Sequence, residues 1–238
     1  LAPGEQLIPF LFFSLAIPVF AIGSNDNLEY KITFHAEPVT DIEGLVELAK
    51  KQNAISTFTA TSNQNMEPLR VEQLIEVREY ADGSIEKDIA VAALVLGNGE
   101  GLLDQTHSGV DYSVPNYTVS YVLYYTVKGV PESILVFDYT YRVNKAVTTV
   151  AKGGSTSNLI TSIRHGYRCR VGEEKWENPS YNNGTVSGGQ TFTIYSSHSG
   201  FYSSHPDLLT AVTYGVGGQC HVDFSDGQHI EIDVRAYF

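Results

Sequence analysis

A chain of 238 residues with 27 Asp and Glu against 15 Lys and Arg carries a formal net charge of −12. That balance excludes a nucleic-acid partner, which needs clustered cations against phosphate, and argues against attachment to anionic lipid. Two cysteines without CxxC or CxxCH spacing exclude haem attachment and a zinc ribbon.

The chain opens on an apolar run from Leu7 to Ile22, broken by Pro9, Ser14 and Pro18. It falls short of the roughly 20 apolar residues of a membrane-spanning helix, and each proline would remove a helix hydrogen bond. Val19 and Ala21 put small residues at the third and first positions before a cut after Ala21, as in a secretory signal. Residues 1–21 hold no Lys or Arg, so they are expected to be a signal remnant whose basic head precedes Leu1. The competing reading retains the run as a membrane anchor, or as an apolar strand donated to a neighbouring subunit.

A helix is predicted over residues 41–53. Thr40-Asp41-Ile42-Glu43 reads as a capping box, with Thr40 and Glu43 satisfying open amides. Ile42, Leu45, Val46 and Ala49 follow on one face at helical spacing. Gly44 costs about 1 kcal/mol relative to Ala, so packing across a sheet must support this helix. Two strands come next, joined at Ala81-Asp82-Gly83 by a three-residue loop with Gly83 left-handed. That loop sets Ile75 opposite Ile89 and Arg78 opposite Glu86, avoiding the like-charge pair of the two-residue alternative.

Glycines break the pattern over residues 97–116. Strands are then predicted at 117–128, 133–143 and 146–151, with turns at Gly129-Val130-Pro131 and Asn144-Lys145. Alternation puts Tyr117, Tyr121 and Tyr125 on one face, Tyr124 on the other, and Tyr139 with Tyr141 together. Exposed, such a row would stack on sugar rings or a protein partner; buried, it is core. A strand over 159–170 precedes a polar loop, 173–189, which carries Trp176 as a binding anchor or a loop pin. A further strand covers 191–195. The stretch YSSHSGFYSSHPD reads as a surface loop, followed by a short helical turn from Pro206 to Leu209.

The last two strands, 219–224 and 228–237, close through Ser225-Asp226-Gly227, the grammar of the earlier hairpin. In that register Val222 faces Ile230 and Cys220 faces Ile232 on the core side. His221 then opposes Glu231 and Asp223 opposes His229 on the other side, with facing β-carbons about 5 Å apart. Two imidazoles and two carboxylates suit a divalent metal such as zinc, a pH switch, or a solvated face of paired charges. Cys169 and Cys220 are expected to form one disulfide. Asn116-Tyr117-Thr118 and Asn183-Gly184-Thr185 match the N-glycosylation pattern. Neither a GxSxG elbow nor a phosphate-cradling glycine loop occurs in the sequence.

Short strands with turn signals between them predict a mainly β chain, an antiparallel sandwich or open barrel with one N-terminal amphipathic helix, as one domain over 22–238. The expectation is an exported, non-enzymatic β-sandwich, secreted or at the cell surface, binding a carbohydrate or protein partner. Its rivals are a secreted metal-dependent hydrolase and a surface-filament subunit or membrane-acting toxin that retains residues 1–21.

Overall fold

The computed structural model describes residues 29–56, 69–96, 116–129, 140–153, 156–170, 173–184, 189–197, 200–203 and 215–237. The N-terminal apolar run, the glycine-rich stretch 97–115, the predicted turn after Gly129 with Tyr139, and the predicted turn Pro206–Leu209 lie outside these residues.

Among the described residues the fold is a β-sandwich of two antiparallel sheets, with no closed barrel and one helix laid on the larger sheet. The larger sheet runs in the order β1 (Tyr30–His35), β2 (Leu69–Tyr80), β3 (Ile85–Val95), β4 (Tyr117–Gly129), β5 (Thr140–Lys152) and β8 (Gln190–Tyr195). The two-residue β9 (Tyr202–Ser203) also pairs with β5. The smaller sheet runs β11 (His229–Tyr237), β10 (Gly215–Phe224), β6 (Ile160–Arg170) and β7 (Glu173–Glu177).

Both hairpin loops form as their residues dictate. Gly83 and Gly227 sit at φ 80° and 86°, a region glycine enters without a Cβ penalty. Asp82 Oδ1 accepts the Ser84 amide at 2.9 Å, and Asp226 Oδ1 accepts the Gln228 amide at 3.0 Å. The loops fix register: Arg78 faces Glu86, His221 faces Glu231, and Asp223 faces His229. One expected pair fails, because a bulge at Ile75 places Leu74 opposite Ile89. The extra residue turns Ile75 toward the helix-side core instead. Asn144-Lys145 is likewise a bulge and not a turn, since Tyr124 pairs with Lys145 and Tyr125 with Val143 in one continuous β5. The Asn144 side-chain amide donates to Thr126 Oγ1 at 2.9 Å, and the Asn144 backbone carbonyl accepts the Ser196 amide at 2.9 Å.

The helix α1 (Ile42–Ser56) starts one residue later than the capping box implies. Asp41, not Thr40, is the cap: its Oδ1 accepts the Gly44 amide at 2.7 Å. Gly44 is explained by packing, since a Cβ there would stand 2.6 Å from Val39 Cγ1. Leu45 and Ala49 are fully buried against Val71, Ala90, Ala92, Leu94, Val122 and Tyr124 on the outer face of the larger sheet. Side-chain amides hold the helix side to β2. Gln52 donates to the Glu72 carbonyl and accepts its amide, and Gln73 makes the same double clasp on Val39. Past the helix, the Arg78 guanidinium bonds Glu76, Glu86 and Asp88 together, a nearly dry network in which each carboxylate is paired.

The main core lies between the sheets. Tyr117, Tyr121, Leu123, Tyr125, Tyr141, Val143 and Ile194 meet Ile163, Tyr167, Cys220, Val222, Ile230 and Ile232. Tyr121 crosses this layer: its hydroxyl donates to the Gly166 carbonyl at 2.8 Å. Gly218 leaves the space it needs, since a Cβ there would come within 1.8 Å of that oxygen. The predicted tyrosine row is therefore core. Tyr117, Tyr121 and Tyr125 are at most 3% exposed and present no stacking surface for a ligand.

Candidate functional site

The outward face of the smaller sheet is built by period-two alternation. Along β6, Ile163, His165, Tyr167 and Cys169 point into the core, which turns Ser162, Arg164, Gly166 and Arg168 outward. The ladder then sets these against neighbours on both sides. Glu231, His221 and Arg164 form one rung; His229, Asp223 and Ser162 form the next. Asp233, Gln219, Gly166 and Trp176 make a third rung across all four strands.

Trp176 lies on a strand, β7, and not in the polar loop expected for residues 173–189. Its indole rests on Gly166, where an added Cβ would stand 2.6 Å from Cε3 and 2.2 Å from the Lys175 carbonyl. The Arg164 guanidinium stacks 4.7 Å from the indole centroid, so the two planar groups make one shelf. Arg168 pairs with Glu174 at 3.4 Å, and Lys175 with Glu177 at 3.4 Å.

Beside the shelf, Asp223 is central to a short polar chain. It accepts hydrogen bonds from Ser162 Oγ and, at 2.8 Å, from His221 Nε2. Partial burial raises its pKa, but these two bonds and the nearby His221 and His229 rings outweigh that and hold its carboxyl below the usual range. The His221 and His229 rings stack with centroids 5.2 Å apart and planes 11° from parallel. Shelf and chain share a concavity of about 560 Å³, lined by Arg164, Arg168, Glu174, Trp176, Asn178, Gln219, His221, Asp223 and Glu231, with Ser162.

The chemistry open to this face follows from the contact order. Asp223 stands between Ser162 and His221, so among the described residues no imidazole is hydrogen-bonded to the serine, the contact that nucleophilic catalysis requires. Among the described residues no group of three or more His, Cys, Asp or Glu is placed to hold a metal ion. The expected ligands His221, Asp223, His229 and Glu231 do share a face. Stacking keeps the imidazoles side by side, and Asp223 is engaged by Ser162 and His221. What remains is a half-exposed mosaic of donors and acceptors around a flat aromatic–guanidinium shelf. Arg164, Arg168 and Ser162 were missed from sequence. The outward period of residues 162, 164, 166 and 168, opposite an apolar one, is the signal that marks them.

The expected disulfide is absent: Cys169 and Cys220 are both buried and not bonded to each other. Cys220 faces His165 across the ladder, four positions before Cys169 and so about 13 Å away along β6. A disulfide tolerates roughly 7 Å between α-carbons. Burial pushes the Cys220 thiol up to about 12, against a hydrogen bond from Thr148 that acts the other way. The sequon residue Asn183 is engaged as well, since its amide accepts the Ile160 N–H at 2.8 Å and donates to the Ile160 carbonyl at 2.7 Å. Comparison with protein families, curated proteins and solved structures finds no match to this chain.

Proposed function

We propose that this is an exported, non-enzymatic β-sandwich binding protein, and that the outward face of its smaller sheet takes a neutral carbohydrate. The observation that carries the reading is the Arg164–Trp176 shelf inside a concavity of paired charges and hydrogen-bonding groups. A sugar ring offers an apolar face for the indole–guanidinium shelf and hydroxyls that both donate and accept, which matches Gln219, Asn178, Glu231 and His221. The lining carries Arg164 and Arg168 against Glu174, Asp223 and Glu231, a mixture that favours a polyhydroxyl ligand over a polyanion. Export rests on the apolar run from Leu7 to Ile22 with its expected cut after Ala21, because the two buried thiols lend it nothing.

The test is calorimetric titration with neutral oligosaccharides (maltohexaose, cellohexaose, xylohexaose and chitohexaose), on the wild type and on Trp176→Ala. At least one sugar is expected to saturate a single site, with affinity about tenfold weaker in the variant at an unchanged melting temperature. Absence of saturable heat across the set, or equal affinity in Trp176→Ala, overturns the carbohydrate reading.

A further inference from the structure

The larger sheet is wider than the smaller one. Among the described residues β11 is the last strand of the smaller sheet, and it packs over β3 and β4. The inward face of β3 therefore extends beyond it as a trough of about 710 Å³. Its floor is apolar: Ile85, Ile89, Val91, Tyr125 and Val127, with Ala236 of β11 as one wall. That volume and that lining are typical of a small-molecule site.

The charges in the trough are not typical of this acidic chain. Lys87 stands on the floor between Val77 and Val127, its two cross-strand neighbours, so no carboxylate faces it across either ladder. Among the described residues its ammonium makes no hydrogen bond or ion pair. Among the described residues Arg70 forms no ion pair, and it donates one N–H to a neutral partner, the Asp233 carbonyl at 3.2 Å. Arg235 is paired with Asp233, and Glu72 is the one acid among the described residues of the lining. An exposed ammonium on an apolar floor, with an apolar groove leading away from it, is complementary to an elongated amphipathic anion.

We propose that this trough binds an unbranched aliphatic carboxylate of the fatty-acid class. Lys87 Nζ holds the carboxylate, and the chain runs over Ile89 toward Val91. From Lys87 to Val91 is four residues of strand, about 13 Å of groove for the tail. This site is separate from the outward face of the smaller sheet and independent of what that face binds.

Titration with decanoate below its micelle concentration tests the proposal, with acetate, decanol and decyltrimethylammonium as controls and Lys87→Glu as the variant. Decanoate is expected to bind one saturable site at least about tenfold more tightly than decanol or the cationic analogue, and acetate not at all. Lys87 is exposed, so Lys87→Glu is expected to keep the wild-type melting temperature while losing about tenfold or more in decanoate affinity. The proposal is overturned by equal decanoate affinity in Lys87→Glu, by tighter binding of the cation, or by no saturable binding. A dimer in sedimentation that does not take up decanoate also overturns it, because a second copy then covers the trough.

Discussion

Replacing Gly218 with alanine probes the contact that ties the two sheets together. A Cβ at this position would lie 1.8 Å from the Tyr121 hydroxyl, 2.6 Å from its Cζ and 2.9 Å from the Gly166 carbonyl. Ordinary contact begins near 3.4 Å, so the phenol must retreat by about 1.6 Å, the difference of the two distances. Tyr121 is fully buried, and its retreat breaks the 2.8 Å bond to Gly166. Overpacking costs about 1–3 kcal/mol, and a stranded buried hydroxyl costs a further ~1–3 kcal/mol. A loss of about 2–6 kcal/mol is therefore expected, large against the whole stability of a domain. Urea unfolding reads it as a lower midpoint at an unchanged slope. Tyr121→Phe alone forfeits one buried hydrogen bond, about 1–2 kcal/mol. In the double variant the offending oxygen is gone, so the combined loss falls short of the sum by about 1 kcal/mol or more. Gly218→Ala within about 0.5 kcal/mol of wild type, or a strictly additive cycle, refutes the reasoning.

Two further expectations concern the same interior. His165 is 1% exposed and shares a 3.0 Å hydrogen bond with Thr148, and burial lowers its pKa despite Glu177 acting the other way. The unfolded chain thus takes up this proton first, and the stability it contributes is present above about pH 6.5 and lost as the pH falls toward the folded value. Urea midpoints between pH 7.5 and pH 5 are expected to drop for the wild type and to drop less for His165→Gln; equal slopes refute the assignment. Cys220, with its thiol raised to about 12, is expected to resist iodoacetamide at pH 8 in the folded protein and to react in urea. Rapid native labelling at Cys220, or an intact mass two hydrogens short, refutes it.

Most of what is decided within a few residues along the chain was legible in the sequence, although the helix cap moved by one residue, from Thr40 to Asp41. Gly83 and Gly227 carry their hairpins, because a left-handed residue at the end of a three-residue loop sets strand register without help from the rest of the fold. The pairs Arg78–Glu86, His221–Glu231 and Asp223–His229 follow directly. Bulges are less local: Ile75 and Asn144 are extra residues that only a neighbouring strand can count, so one pair shifted and one strand was split in two. The short strands β1 and β7 were missed for a related reason, since each depends on a partner edge more than on its own pattern.

Alternation along β4 correctly separated Tyr124 from Tyr117, Tyr121 and Tyr125, but it could not say which side was dry. Both sides are: the smaller sheet covers one and α1 the other, so polarity gives no contrast to read. The candidate site shows the same division. His221, Asp223 and Glu231 share a face by strand period alone. Trp176, far from them in sequence terms, reaches that face because β7 pairs with β6 and Gly166 leaves room for the indole. The separation of Cys169 from Cys220 was equally invisible, being a matter of register between β6 and β10. Side-chain direction and turn geometry belong to the local chain and were determined by sequence; which strands adjoin, and so which faces are buried and which side chains meet, was decided only when the two sheets closed on their common core.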